Sequence, residues 1–122
     1  MNKRIAIVDY DRNTRISVAD RLKEIPDVLV VQLASYADLV SLIEEGFHFT
    51  VVILDGKISA SSMDGPACTH WIKQKTQSTK VIGYTIYATL KERFLANGAD
   101  SFLVKSGNLK PLVSAVKTLL AA

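Results

Sequence analysis

Short apolar runs alternate along the chain with longer segments in which apolar residues recur every three or four positions. The short runs are rich in valine, isoleucine and leucine, which is typical of strands that are buried on both faces of a sheet. They predict five strands, over residues 4–9, 28–34, 50–55, 80–85 and 101–105.

The segments that separate and follow these runs predict five amphipathic helices. We expect the first helix to end near Pro26, the second at Gly46 and the fourth near Asn97. The third helix is expected to begin at Asp64, an N-cap residue, with Pro66 near the first helical position. The fifth has the clearest apolar stripe, formed by Leu109, Leu112, Val113, Val116, Leu119 and Leu120.

Strands that alternate with helices indicate an α/β fold, in which a parallel sheet is covered by helices on both faces. The 122 residues fit one domain, and a composition of 48% hydrophobic residues is that of an ordinary globular protein. The sequence has no apolar stretch long enough to span a bilayer, so we expect no membrane association.

Cysteine and charge content limit the compartment and the partners. The single cysteine, Cys68, excludes an internal disulfide and favours a reducing cytoplasm. The net charge of +3 comes from lysines and arginines that are spread along the chain. Because a nucleic-acid interface needs a concentrated basic surface, we expect no direct nucleic-acid binding by this domain.

Polar side chains stand at the carboxyl ends of four predicted strands: Asp9, Asp55, Thr85 and Lys105, with Asp11 just beyond the first. These ends meet at one edge of a parallel sheet, which is where ligands bind in such folds. Clustered carboxylates suit Mg²⁺, and a carboxylate can also act as a nucleophile toward phosphorus. A lysine and a hydroxyl nearby could stabilise the oxygens of a transferring phosphoryl group.

The residues that carry these features, together with their neighbours, form a recognisable set. It comprises Ile7-Val8-Asp9, Leu54-Asp55, Met63-Asp64-Gly65, Thr85 and Val104-Lys105. In order and spacing, along essentially the whole chain, this set resembles the receiver domain of two-component response regulators (CheY-like). The resemblance implies a flavodoxin-like (βα)5 fold with strand order 2-1-3-4-5.

The resemblance also implies a function and a set of roles. A histidine kinase or phosphotransfer protein would donate a phosphoryl group to Asp55, in a signalling domain that is not itself an enzyme. Thr85 and Lys105 would contact the phosphoryl oxygens, and Thr85 and Phe102 would form the switch. The implied Mg²⁺ ligands are Asp9, Asp55 and the backbone carbonyl of Lys57, with Asp11 as a further candidate.

Two local features resemble those of receivers that carry a LuxR-type helix-turn-helix output domain. The first is that Lys105 is followed by serine and glycine, where many response regulators have proline. The second is the segment Glu24-Ile25-Pro26-Asp27-Val28 at the start of the second strand. This similarity implies an output domain that lies outside the present chain. A homodimer is compatible with it.

Three residues depart from the family pattern around the expected metal site. Tyr10 occupies the place of a second acid, which should weaken Mg²⁺ binding and leaves Asp11 as the candidate replacement. The ammonium of Lys57 could stand in for the cation beside the carboxylates. Ile86 replaces a small residue and is expected to narrow the approach to Asp55.

These departures leave two alternatives open. The first is an atypical receiver that acts through protein–protein contacts without phosphorylation. The second is a flavin- or nucleotide-binding α/β protein, although the loop Tyr10-Asp11-Arg12-Asn13 lacks the glycines that cradle phosphate in such proteins.

Overall fold

Strands and helices alternate strictly in the computed structural model, which describes residues 2–58 and 61–122. A short 3-10 turn at Ala88–Leu90 precedes the fourth helix. The strands are β1 Lys3–Val8, β2 Val28–Leu33, β3 Val51–Leu54, β4 Lys80–Thr85 and β5 Ser101–Val104. The helices are α1 Arg12–Leu22, α2 Tyr36–Glu44, α3 Gly65–Lys75, α4 Lys91–Ala96 and α5 Lys110–Ala121.

The five strands form one parallel sheet in the order β2-β1-β3-β4-β5. This confirms the predicted doubly wound, flavodoxin-like architecture. The register sets Val8 of β1 level with Leu54 of β3, and Thr85 of β4 level with Val104 of β5. Residues that follow these positions therefore lie along one edge of the sheet.

Successive residues of each central strand enter different core layers, because side chains alternate across a strand. In β1, Ile5 and Ile7 belong to the layer that packs against α1 and α5. Ala6 and Val8 belong to the layer that packs against α2, α3 and α4. All four side chains are completely buried, which explains why the strand reads as an unbroken apolar run.

Several strands and helices end at residues other than the predicted ones. Strands β1, β3 and β5 end one residue before the predicted Asp9, Asp55 and Lys105. Helix α1 ends at Leu22, four residues before Pro26, and a turn follows in which the amide of Ile25 donates to the carbonyl of Leu22 at 3.0 Å. Ile25 stays buried in the turn that follows, so the apolar periodicity continues past the end of the helix.

The ends of two other helices follow the residues that mark them. Helix α2 ends at Glu44, and Gly46 adopts a φ of 98° two residues later, a left-handed conformation that glycine tolerates. Helix α3 is capped as predicted, because the Asp64 side chain accepts a hydrogen bond of 2.9 Å from the amide of Ala67. None of the helices within residues 2–58 and 61–122 is long and apolar enough to cross a membrane.

Candidate functional site

Two aspartates lie side by side at the carboxyl edge of the central strands. The amide of Asp55 donates to the carbonyl of Val8 at 2.9 Å, and the amide of Asp9 donates to the carbonyl of Leu33 at 3.0 Å. These bonds extend the sheet pairing by one residue and fix both backbones. Asp9 is fully buried and Asp55 is only 6% exposed. Two carboxylates are therefore held close together with little access to water.

Lys105 brings a positive charge to this pair from the end of β5. Its amide donates to the carbonyl of Thr85 at 2.9 Å, so the backbone is anchored to β4. Its Nζ lies 2.7 Å from Oδ2 of Asp9 and 3.5 Å from Oδ1 of Asp55. Oδ2 of Asp9 has no hydrogen bond of regular geometry within the described chain, so its contact with the ammonium is an ion pair. One cation thus serves two carboxylates.

Burial and charge oppose each other in this group. Burial, followed by the charge of Asp9, raises the pKa of Asp55 above its ordinary value, although Lys105 acts against this. Burial alone would lower the pKa of Lys105, but its close contact with Asp9, followed by the charges of Asp55 and Asp9, raises the pKa overall. The lysine therefore remains protonated at neutral pH, and the electrostatic balance of the site depends on it.

Thr85 completes the polar edge at the end of β4, where it is fully buried. Its Oγ1 accepts a hydrogen bond of 3.2 Å from the amide of Tyr87. A Cβ atom added to Gly56 would lie only 2.8 Å from that Oγ1, so the hydroxyl sits against the residue that follows Asp55. Since a hydroxyl that accepts still has its own hydrogen, Thr85 keeps one donor available.

A small cavity of about 150 Å³ opens above the carboxylates. Three of its lining side chains are exposed apolar or aromatic residues that form its rim: Tyr10 (67% exposed), Ile86 (64%) and Tyr87 (44%). Cofactor-sized ligands occupy cavities of roughly 300–1,000 Å³, so this one suits a smaller group. Its lining consists of Asp9, Tyr10, Asp11, Asp55, Lys57, Ile86, Tyr87 and Lys105.

The structure does not bring Asp11 into the carboxylate group. Its Oδ1 accepts from the amide of Asn13 at 3.1 Å, and its Oδ2 accepts from the hydroxyl of Thr14 at 2.8 Å. Thr14, followed by Asn13, lowers the pKa of Asp11 through these bonds. Asp11 is thus the N-cap of α1. Across residues 2–58 and 61–122, no three side chains of the histidine, cysteine, aspartate or glutamate types are grouped to hold a metal ion.

Lys57 is exposed, and within the described part of the chain its ammonium forms no ion pair with a carboxylate. The cation beside the carboxylates is instead that of Lys105. For Mg²⁺ the site offers Asp9, Asp55 and the nearby backbone of Lys57. This set fits an ion that takes one or two carboxylates and keeps several waters, and Oδ2 of Asp9 is a buried oxygen without a regular hydrogen bond.

Phe102, the expected switch residue, lies on β5 with its ring turned toward the core. Its ring centroid is 5.6 Å from that of Phe94 on α4. A Cβ atom on Gly83 would lie within 3.0 Å of both rings, so this glycine makes room for the pair. Phe102 therefore links β5 to α4, and its switching role stays a prediction.

Sequence reasoning missed Tyr36, whose hydroxyl donates a buried hydrogen bond of 2.7 Å to the backbone carbonyl of Asp55. The apolar pattern of α2 identifies its buried face, but nothing in that pattern indicates which carbonyl a tyrosine will reach. The ion pair between Lys105 and Asp9 was also missed. Lys57 was the expected cation because it follows Asp55 closely in sequence, but sequence distance does not show which lysine reaches the carboxylates.

Comparison with known proteins agrees with this geometry. Residues 5–117 match the family model described as the response regulator receiver domain. No curated protein is significantly similar in sequence.

Among solved structures, the chain is similar to the BeF3-activated receiver domain of DrrB, a Thermotoga maritima protein, with 26% identity, full coverage of both chains and a TM-score of 0.87. It is also similar to the T. maritima response regulator TrrA in complex with Mg²⁺ and BeF, with 26% identity, 96% and 98% coverage and a TM-score of 0.84.

A LuxR-family response regulator from Staphylococcus aureus shares the fold, with 23% identity, 96% and 98% coverage and a TM-score of 0.83. The structural neighbours thus include a LuxR-family regulator as well as DrrB, which is described as a homologue of OmpR and PhoB. The family match favours neither the flavin-binding nor the phosphorylation-independent alternative. The chain belongs to the response regulator receiver domain family of two-component signal transduction.

Proposed function

We propose that Asp55 accepts a phosphoryl group from a phosphohistidine of a partner protein. The observation that carries this proposal is the Asp55 carboxylate itself, which is 6% exposed at the base of a small cavity, with the ammonium of Lys105 at 3.5 Å. A buried carboxylate beside a fixed cation can act as a nucleophile on an anionic donor, since the cation offsets the repulsion between them.

In this reaction a carboxylate oxygen of Asp55 forms a bond to phosphorus while the bond between phosphorus and the donor's imidazole nitrogen breaks. The electron pair of that bond returns to the imidazole, which takes up a proton from solvent. Lys105 supplies positive charge to the phosphoryl oxygens. Thr85 supplies a hydrogen bond, because its contact with the amide of Tyr87 uses a lone pair and leaves the O–H free.

We propose Mg²⁺ as the cofactor, held by Asp9, Asp55 and the backbone carbonyl of Lys57. When bound, such an ion supplies positive charge that stabilises the phosphoryl oxygens. Two features of the chain act against tight binding. Tyr10 supplies no carboxylate, and the ammonium of Lys105 already contacts Asp9. The crystallised TrrA complex, which contains Mg²⁺ and BeF, supports this choice of cofactor.

The proposed phosphodonor is a histidine kinase or a phosphotransfer protein in the cytoplasm, where the buried thiol of Cys68 stays reduced. Phosphorylation converts the carboxylate, with a charge of −1, into an acyl phosphate that carries a charge of about −1.5 to −2. Because Lys105 already interacts with both carboxylates, the added charge draws it toward Asp55. We propose that this movement, with that of Thr85, alters the surface around β5 on which Phe102 lies and so changes partner binding.

Binding of a phosphoryl analogue tests whether the site is built for this group. Fluoroberyllate and Mg²⁺ are added to ¹⁵N-labelled protein, and the amide signals of Thr85 and Lys105 are followed by NMR. We expect both signals to shift in the wild type and to stay in place in Asp55→Asn. Unchanged signals in the wild type at saturating reagent, or equal shifts in both proteins, would contradict the proposal.

A further inference from the structure

The side chain of Tyr36, on α2, contacts the backbone of Asp55, the proposed phosphoacceptor. Tyr36 is the first residue of α2, which is capped by Ser35 through a hydrogen bond of 3.1 Å from the amide of Asp38. The side chain is only 2% exposed and packs in the same core layer as Leu54. Burial, followed by the nearby charge of Asp55, raises the pKa of the phenol, so Tyr36 is a neutral hydrogen-bond donor.

The acceptor of that bond is the backbone carbonyl of Asp55, at 2.7 Å. The peptide between Asp55 and Gly56 is confined on other sides as well. A Cβ atom added to Gly65 would lie 2.5 Å from the same carbonyl oxygen, and one added to Gly56 would lie 2.7 Å from Cδ1 of Leu90. The neighbouring peptide is also held, because the amide of Gly65 donates to the carbonyl of Gly56 at 2.8 Å.

The orientation of this peptide matters on its other side. A peptide unit is planar, and in the trans form its C=O and N–H point in opposite directions. Fixing the carbonyl of Asp55 therefore fixes the direction of the Gly56 N–H. The amides of Gly56 and Lys57 both act on the Asp55 carboxylate and partly offset the rise in its pKa that burial causes. Fixed backbone donors of this kind stabilise charge that develops in a buried site.

We propose that Tyr36 is a positioning residue for phosphoryl transfer to Asp55. Its hydroxyl holds the Asp55–Gly56 peptide and so fixes the backbone from which the receiving carboxylate extends. The proposal rests on the proposed function, because it assigns a role within that reaction. Tyr36 does not touch the reacting atoms and acts only through the backbone of Asp55.

Two hydroxyl deletions separate this role from a purely structural one. Tyr36→Phe removes the hydroxyl and keeps the ring. Thr79→Val is the matched control, because the buried Thr79 hydroxyl also donates to a backbone carbonyl at 2.7 Å, that of Phe49 just before β3. This second bond lies at the opposite edge of the sheet. Each variant loses one buried hydrogen bond, and Thr79→Val also loses a partly buried contact of 3.2 Å with the hydroxyl of Thr76. Both variants should therefore unfold at a temperature a few degrees lower.

Only Tyr36→Phe should alter the site. We expect the amide signal of Gly56 in ¹H–¹⁵N spectra to shift in Tyr36→Phe and to stay in place in Thr79→Val. The initial rate of phosphorylation by acetyl phosphate should fall roughly tenfold in Tyr36→Phe, a fraction of the loss seen when a stabilising donor is removed outright. A Gly56 signal that does not move, a signal that moves equally in both variants, or an unchanged rate would overturn the proposal.

Failure of the proposed function has a separate signature. If the wild type takes up no phosphoryl group, the proposed reaction is wrong whatever Tyr36 does. The positioning role is then decided by the Gly56 signal. A shift in Tyr36→Phe but not in Thr79→Val supports the role, and a signal that stays in place in both variants overturns it.

Discussion

The ammonium of Lys105 lies 2.7 Å from the carboxylate of Asp9, closer than the 3.5 Å that separates it from Asp55. In the unphosphorylated domain the lysine is thus the counter-ion of the neighbouring acid as much as of the phosphoacceptor. The proposed Mg²⁺ ion would have to share these buried oxygens with Lys105. We expect this competition, as well as the small cavity, to determine how readily the site takes a cation.

Replacing Lys105 tests the competition. Lys105→Met leaves two buried carboxylates without their cation, so stability at pH 7 should fall by about 1–3 kcal/mol. The same change should tighten Mg²⁺ binding, because Asp9 is released. Urea unfolding and calorimetric Mg²⁺ titration measure the two effects. Lys57→Met is the control and should change neither, and an equal response to both substitutions would show that Lys105 is not the counter-ion.

Restoring a carboxylate at position 10 should strengthen the cation site. We expect Tyr10→Asp to raise Mg²⁺ affinity roughly tenfold, since ligand charge governs the affinity of such sites. Asp11→Ala should lower the melting temperature through loss of the α1 cap and leave Mg²⁺ affinity unchanged. Weaker Mg²⁺ binding by Asp11→Ala would show instead that Asp11 is a ligand.

Stability should respond to the ionisation of Asp55. Burial and the charge of Asp9 raise the pKa of Asp55 above its ordinary value of 3.8, so the folded state binds this proton more tightly than the unfolded state does. Ionisation of Asp55 therefore lowers the free energy of unfolding. This loss is absent well below pH 3.8, where the carboxyl is protonated in both states, and it is complete above the pKa of the folded state. Asp55→Asn should melt at a higher temperature than the wild type at pH 7, and the difference should shrink as the pH falls.

The control for this pH dependence is Asp20→Asn, since Asp20 is exposed and its contact with Lys23 spans 3.7 Å. Its effect on the melting temperature should be small at every pH. The claim that ionisation of Asp55 destabilises the fold would be contradicted by either of two results. One is an Asp55→Asn protein that melts below the wild type at pH 7, and the other is a difference in melting temperature that grows as the pH falls.

Two glycines offer a matched test of how tightly the Asp55 backbone is packed. A Cβ atom on Gly65 would lie 2.5 Å from the Asp55 carbonyl oxygen and 2.5 Å from Cζ of Phe94, whereas one on Gly107 meets nothing within 4 Å. Gly65→Ala should cost about 1–3 kcal/mol, and Gly107→Ala should stay within about 0.5 kcal/mol of the wild type. Chemical denaturation measures the free energy of unfolding of both proteins. Equal losses would contradict the tight packing at Gly65, because they would show that the backbone there adjusts to the added methyl group.

The sequence was sufficient to predict the sheet and the residues at its edge, because both depend on local pattern. Unbroken apolar runs mark buried parallel strands, and Asp9, Asp55 and Lys105 directly follow three of them. It was not sufficient to predict which groups pair across that edge. Asp11 is two residues from Asp9 yet caps α1 with its carboxylate, a choice that depends on helix geometry rather than on spacing.

Tyr36 shows the same limit over a longer distance. Its hydroxyl meets a carbonyl 19 residues away, and only the packing of α2 against the sheet brings them together. The helix pattern places the ring in the core, but it carries no information about the acceptor of the hydroxyl. Contacts between elements, unlike the elements themselves, had to be read from the three-dimensional structure.

Covalent modification of Asp55 is the central claim, and intact-protein mass spectrometry tests it most directly. The wild type and Asp55→Asn are incubated with Mg²⁺ and acetyl phosphate or phosphoramidate and then weighed. We predict that the wild type gains the mass of one phosphoryl group and that Asp55→Asn gains none. A wild type that gains no mass, or a variant that gains as much as the wild type, would contradict the assignment of Asp55 as the phosphoacceptor.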